Sequence, residues 1–204
     1  MSANDSIVAA ATPIGESAIA VVRVSGTLCP KLCKDALRVP YPTPRRSSLA
    51  GYRDINECLI DDVIFVFYEE QNSYTGEPSL EISSHGNPLI TKKIIEDLVA
   101  RGCRLADPGE YTKRAFLSGR MDLTQAESVA TLIKASSDRA LEVARIQLRG
   151  DLGKKIRDLQ SRLLDLQANL EAYIDFPEED LPAEEMKGPS SALANLIAEV
   201  DLLS

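Results

Sequence analysis

The 204-residue sequence predicts an α+β fold built from two unlike parts, and three observations predict it. Up to about residue 120 the text consists of short β-compatible runs broken by turn residues. Within it, Cys58–Tyr68 carries a run of large apolar side chains from Val63 to Tyr68. From Asp122 onward, capping signals and leucines at helical spacing replace the strand pattern. A sheet domain over residues 1–118 and an all-α domain over 119–204 are therefore expected.

The elements follow in order. Ile7–Ala11 and Ala18–Val24 read as strands separated by the turn Thr12-Pro13-Ile14-Gly15. Residues 38–51, with three prolines and the run Arg45-Arg46-Ser47-Ser48, read as a loop. Cys58–Tyr68 places Val63, Phe65 and Phe67 on one face and Ile64, Val66 and Tyr68 on the other, so a central strand buried on both faces is expected. Leu80–Ser83 is a further short strand, its start delayed by Pro78. Pro88–Val99 reads as a helix opened by proline, with Ile90, Ile94, Ile95 and Leu98 on one side, and Tyr111–Leu117 as a short helix.

Asp122-Leu-Thr-Gln125 and Thr124-Gln-Ala-Glu127 are overlapping capping boxes that open a helix running to about Ala135, and Ser136-Ser137-Asp138 opens the next. From Leu141 to Tyr173 the apolar residues recur at spacings of 7, 4, 4, 3, 4, 3, 4 and 3, the pattern of one long amphipathic helix whose weak points are Gly150 and Gly153. It should stop at Asp175-Phe-Pro177. An acidic segment with Glu178, Glu179, Asp180, Glu184 and Glu185 then leads to a last helix at about Ser191–Leu203. Residues 122–204 offer too few partners for this apolar face, so a partial bundle completed by further helices is expected.

The net charge of −8 gives no general attraction for a phosphate backbone, which disfavours unaided RNA binding. Cys29, Cys33, Cys58 and Cys103 form no C-x-x-C pair, and His85 is the only histidine; reduced thiols in a cytosolic protein are expected, with no cysteine/histidine metal cage. No apolar run reaches the roughly 18–20 residues that span a bilayer, and the first 22 residues lack the basic start of a secretory signal. G-x-x-x-x-G-K-[ST] is absent, so the chain has no P-loop and is expected to be inactive alone in nucleotide hydrolysis.

Four places hold chemically interesting side chains. Arg23 shares a strand face with Ile19 and Val21, which would carry its guanidinium toward the core, where it needs either an anionic ligand or a structural salt bridge. Glu81 lies with Ser79 and Ser83 beside the turn Ser73-Tyr-Thr-Gly76-Glu77; its carboxylate suits two parallel N–H donors of a planar heterocycle, or a solvated sheet face. His85-Gly86 follows, with a structural hydrogen-bonding role as the plainer reading. Asp107-Pro-Gly-Glu110 opens a helix near Lys113, Arg114 and Arg120; its amides suit an anion, but Glu110 argues against phosphate.

Seven strings occur in order: Ile7-Val-Ala-Ala-Ala-Thr-Pro13, Arg23-Val-Ser-Gly26, Ser73-Tyr-Thr-Gly-Glu77, His85-Gly86, Pro108-Gly-Glu-Tyr-Thr-Lys-Arg-Ala-Phe-Leu117, Asp122-Leu-Thr-Gln-Ala-Glu127 and Ile174-Asp-Phe-Pro177. Together they closely resemble the amino-terminal half of the tRNA-modification GTPase family known as MnmE or TrmE. The resemblance implies a mixed-sheet, aminomethyltransferase-like domain that binds formyl- or methylene-tetrahydrofolate and forms a homodimer. A helical domain would follow, interrupted near residue 204 by a GTPase domain that uses GTP, magnesium and potassium. It implies a cytoplasmic enzyme that works on the wobble uridine of tRNA with a flavin-dependent partner, MnmG (GidA). It also implies folate-site roles for Arg23, Glu81 and Arg120, the last standing where relatives often have lysine. Ser84-His85-Gly86-Asn87 stands where Cys-His-Gly-Gly is the family pattern. A stand-alone folate-dependent aminomethyltransferase-like protein and a non-catalytic scaffold are the competing readings.

Overall fold

A computed structural model describes residues 5–175 and 187–201. The Phe176-Pro177 stop, the acidic segment and the last three residues lie outside the described residues. Backbone packing divides the chain into two compact units, 1–126 and 127–204.

The first unit is α+β. Its strands β1 (Ile7–Ala10), β2 (Ser17–Ser25), β3 (Ser48–Arg53), β4 (Leu59–Tyr68), β5 (Ser79–Gly86) and β6 (Arg104–Leu105) form one mixed sheet in the order β3-β4-β5-β2-β1-β6. All neighbours are antiparallel except β1 and β6. Helices α1 (Cys29–Asp35) and α2 (Pro88–Ala100) supply Cys29, Leu32, Cys33, Ile94 and Leu98 to a core with Val22, Val24, Val63, Phe65, Leu80 and Ile82 from the sheet. Burying a side chain such as Phe65 or Ile82 contributes roughly 1.5–3 kcal/mol each. Tyr52 enters the same core and donates to Asp97 Oδ2 at 2.8 Å, while Arg101 Nε reaches that oxygen at 2.7 Å, so the buried carboxylate is satisfied.

This arrangement corrects four expectations. Residues 48–51 are not loop: they begin the edge strand β3, whose register against β4 sets Leu49 opposite Ile64. Strand β4 has neighbours on both sides but only one buried face; Val63, Phe65 and Phe67 are in the core, whereas Ile64 is 47% exposed on an open outer face. On β2 it is Val22 and Val24 that face the core, and Arg23 points to the outer face with Ile19 and Val21. Helix α1, with Pro30 in its first turn, and the two-residue β6 were not foreseen.

Helix α2 opens on an asparagine cap. Asn87 adopts an extended conformation, and its side chain accepts from the Leu89 N–H at 2.8 Å, an N-cap that glycine lacks.

Helix α3 (Glu110–Leu117) closes the first unit, and α4 (Leu123–Lys134) opens on the Asp122 capping box. Asp122 Oδ1 accepts from the Gln125 N–H at 2.9 Å while Gln125 Oε1 accepts from the Asp122 N–H at 2.9 Å. In the second unit, α5 (Asp138–Leu148) is N-capped by Ser137, α6 spans Asp151–Asp175 and α7 spans Lys187–Asp201. The long helix is therefore two: Gly150 at φ +73° ends α5, whereas Gly153 sits inside α6. Leu159 and Leu166 of α6 pack on Leu196 of α7, and Lys155 and Arg162 both pair with Glu199. Among the described residues, no helix is long and apolar enough to cross a membrane.

Candidate functional site

The antiparallel register of β2 and β5 sets Arg23 directly opposite Glu81 on the open face of the sheet. Both Arg23 Nε and Nη2 donate to a single carboxylate oxygen, Glu81 Oε1, at 2.9 and 2.7 Å. The other oxygen, Oε2, has only a loose 3.3 Å contact from the Tyr68 hydroxyl. A half-exposed pair of this kind contributes little stability on its own, about 0–1 kcal/mol, so its fixed geometry must come from its surroundings.

Those surroundings are aromatic. The Arg23 guanidinium lies 5.8 Å from the ring centroids of both Tyr74 and Tyr111, within cation–π range. The Tyr111 hydroxyl donates back to the Arg23 carbonyl at 2.6 Å, and burial pushes that phenol well above its ordinary range. Arg23, Tyr68, Tyr74, Thr75, Ser79 and Glu81 line a small cavity of about 160 Å³.

One wall is the turn at residues 73–77. Thr75 is buried and shares a 2.7 Å hydrogen bond with Ser25, whose hydroxyl also donates to Glu77 Oε2 at 2.8 Å. Gly76 has φ +82°, and a Cβ there would come within 2.8 Å of Ser118 Oγ, so only glycine fits the turn without strain. Ser118 Oγ in turn donates to the Thr75 carbonyl at 2.6 Å. Arg120 lies against this turn: its Cγ would lie 3.3 Å from a Gly76 Cβ, and it is not among the residues lining the cavity. The structure thus brings Arg23 and Glu81 together in the cavity, with Arg120 against the Gly76 turn that walls it.

The other two places are tied internally. Glu110 is only 4% exposed and fills the start of α3 itself, accepting from the Asp107 N–H at 2.8 Å, from Arg104 Nη2 at 2.6 Å and from Arg114 Nη2 at 3.0 Å. The Arg104 hydrogen bond leads the effects that hold its carboxyl down at about 2. Arg114 also bonds Asp5 and Glu77, so an anion at the α3 N-terminus would have to displace three carboxylates. His85 Nδ1 lies 2.8 Å from Asp61 Oδ1, and the His85 N–H donates to Asp61 Oδ2 at 2.8 Å.

Sequence reasoning missed the tyrosines. Tyr68 shares the outer face of β4 with Ile64 and Val66, a signal visible only once that face is known to be open. Tyr74 and Tyr111 lie inside quoted family strings, yet no local pattern directs either ring toward Arg23.

Residues 6–120 match the family model described as GTP-binding protein TrmE N-terminus, and residues 123–204 match the MnmE helical domain. The chain belongs to the MnmE (TrmE) family. Proteins named tRNA modification GTPase MnmE are similar to it: one from Opitutus terrae is 51% identical over 180 residues, covering 88% of this chain and 40% of that protein. One from Akkermansia muciniphila is 42% identical over 200 residues, covering 97% and 44%. One from Aquifex aeolicus is 48% identical over 181 residues, covering 88% and 40%. The chain thus spans about two fifths of the length of the MnmE relatives it matches, and the Arg23–Glu81 cavity falls within the part that matches the TrmE N-terminal family.

Proposed function

We propose that this chain serves as the folate-binding and helical part of an MnmE-type tRNA modification GTPase. With a flavin-dependent partner of the MnmG (GidA) type, the whole protein forms aminomethyl- or carboxymethylaminomethyluridine at the tRNA wobble position, in the cytoplasm. Residues 1–118 bind a tetrahydrofolate one-carbon donor and mediate homodimerisation. GTP, magnesium and potassium belong to a part of the whole protein other than residues 1–204, whose sequence carries no P-loop motif.

The observation that carries the folate reading is the cavity on the open sheet face. The Glu81 carboxylate keeps Oε2 nearly unengaged beside the hydroxyls of Thr75 and Ser79, a set that suits the adjacent N–H donors on the edge of a pterin ring. Tyr68 and Tyr74 line the same space. The residues present therefore fit the ring end of a folate. The reduced folate supplies the one-carbon unit; what the chain contributes is the position of the ring.

Titration calorimetry of formyl-tetrahydrofolate tests this directly. Glu81→Ala should weaken binding by about 1.5–3 kcal/mol, the scale of hydrogen bonds to a charged group. Unchanged affinity would take Glu81 out of the site.

A further inference from the structure

The run Arg45-Arg46 has no place in the site as described so far, and its position next to the cavity is informative. At about 160 Å³ the cavity is well below the roughly 300–1,000 Å³ of pockets that enclose a drug-sized ligand. It accepts a fused ring and leaves the remainder of an elongated ligand on the protein surface. On one side the cavity is walled by Tyr74 and its turn, and Tyr68 stands at the end of β4.

Arg45 is fastened to that end of β4. Its backbone N–H donates to the Phe67 carbonyl at 2.8 Å, one residue before Tyr68. It holds φ +57°, a left-handed conformation that is uncommon outside glycine and is kept here by that bond and by the Arg46 N–H to Thr43 carbonyl contact at 3.4 Å. The side chain is exposed and among the described residues makes no salt bridge; neither Glu69 nor Glu70, which follow Tyr68, reaches ion-pair distance of it. Its charge is nonetheless felt at the rim: burial raises the Tyr68 phenol, with Glu81 adding to the rise, while Arg23 and Arg45 oppose it. Arg23 gives two of its five N–H donors, on Nε and Nη2, to Glu81.

Deepening the folate reading and resting on it, we infer that Arg45 is a specificity residue: it receives the carboxylate tail of the ligand whose ring enters the Arg23–Glu81 cavity, so the site prefers poly-γ-glutamyl over monoglutamyl tetrahydrofolate. An exposed cation whose backbone is fixed next to Tyr68, a residue lining the ring-sized cavity, is what such a tail requires, and each added glutamate brings another carboxylate within its field.

Calorimetric titration of the whole chain with mono- and pentaglutamyl formyl-tetrahydrofolate, at low and high salt, tests it. The pentaglutamate is expected to bind about fivefold more tightly at low salt, the upper end for an exposed ion pair, with the ratio falling toward one at high salt. Arg45→Ala should bring the low-salt ratio to about one, and Arg45→Lys, which keeps the charge, should retain most of it. Monoglutamate binding without a pentaglutamate preference, or a preference that survives Arg45→Ala, overturns the inference and leaves the folate reading standing. Failure of both ligands to bind the unmutated chain overturns the two together.

Discussion

Replacing Glu110 by glutamine removes one charge from the most heavily bonded carboxylate of the sheet domain, and the structure states what that costs. Glu110 is 4% exposed and its carboxyl is held at about 2, against an ordinary 4.5, with the Arg104 hydrogen bond the first cause. A difference of about 2.5, at about 1.4 kcal/mol each, is about 3.5 kcal/mol in favour of the folded, ionised form. Arg104 is 39% exposed on its side chain, and screening there brings the expectation to about 1–2 kcal/mol. Because the folded value is depressed, this stabilisation is complete above about pH 5 and is lost as the pH falls from about 4.5 toward 2. Five of the six tyrosines precede residue 112, so near-UV circular dichroism during urea unfolding reports chiefly on the sheet domain. Glu110→Gln should be less stable than the parent by about 1–2 kcal/mol at neutral pH, and the two should converge only below about pH 2, near pH 1, where the parent's Glu110 is itself largely protonated. A gap of the same size at both pH values would refute the ion-pair origin of the effect, and no gap at neutral pH would refute the burial argument.

Two further outcomes follow from the same geometry. Gly76→Ala should destabilise the sheet domain by about 1–3 kcal/mol in urea melts and weaken folate binding with it, because φ +82° and Ser118 Oγ both oppose a Cβ at the wall that carries Thr75. If the open sheet face carries the homodimer contact, sedimentation equilibrium should show a dimer at micromolar concentration that Ile64→Lys abolishes, since Ile64, Ile19 and Leu49 are its exposed apolar residues; a dimer indifferent to that charge would place the contact elsewhere.

The strands and helices with one strong local signal were legible. The alternation in β4, the proline-opened α2 and the Asp122 capping box each rest on neighbours within a few residues, and each occurs close to where the pattern puts it. What failed needed long-range information. Strand β2 is apolar at Ile19, Val21, Val22 and Val24 alike, so nothing local decides which face meets the helices, and Arg23 was assigned to the wrong one. Strand β3 is hidden because Arg45-Arg46-Ser47-Ser48 looks like loop, and its pairing with β4 supplies the order that its own residues do not. Arg23 and Glu81 were each legible as groups needing a partner, but their pairing spans 58 residues and depends on strand register. Gly150 and Gly153 are equivalent in the text; only the backbone shows that Gly150 takes the left-handed turn and Gly153 stays helical.

The ionic cluster and the cavity are one piece of engineering in the sheet domain. Tyr74 and Tyr111 flank Arg23, and they come from segments that the fold joins twice: Arg114 of α3 binds Glu77 of the turn at 3.1 Å, and the Tyr74 hydroxyl meets Thr112 Oγ1 at 3.0 Å. Glu110, four residues before Arg114, binds the same guanidinium, and so does Asp5. Of the residues that set the tyrosine spacing around Arg23, Arg114, Glu110 and Asp5 thus do not themselves line the cavity. Their charges act through Arg114, and the guanidinium's several fixed donors are what allow one side chain to bind the turn, the helix start and the amino-terminal segment together. A lysine at position 114 would keep the charge but could not hold all three, so the geometry around Arg23 requires a planar, many-donor cation at that place as much as it requires Glu81 opposite it.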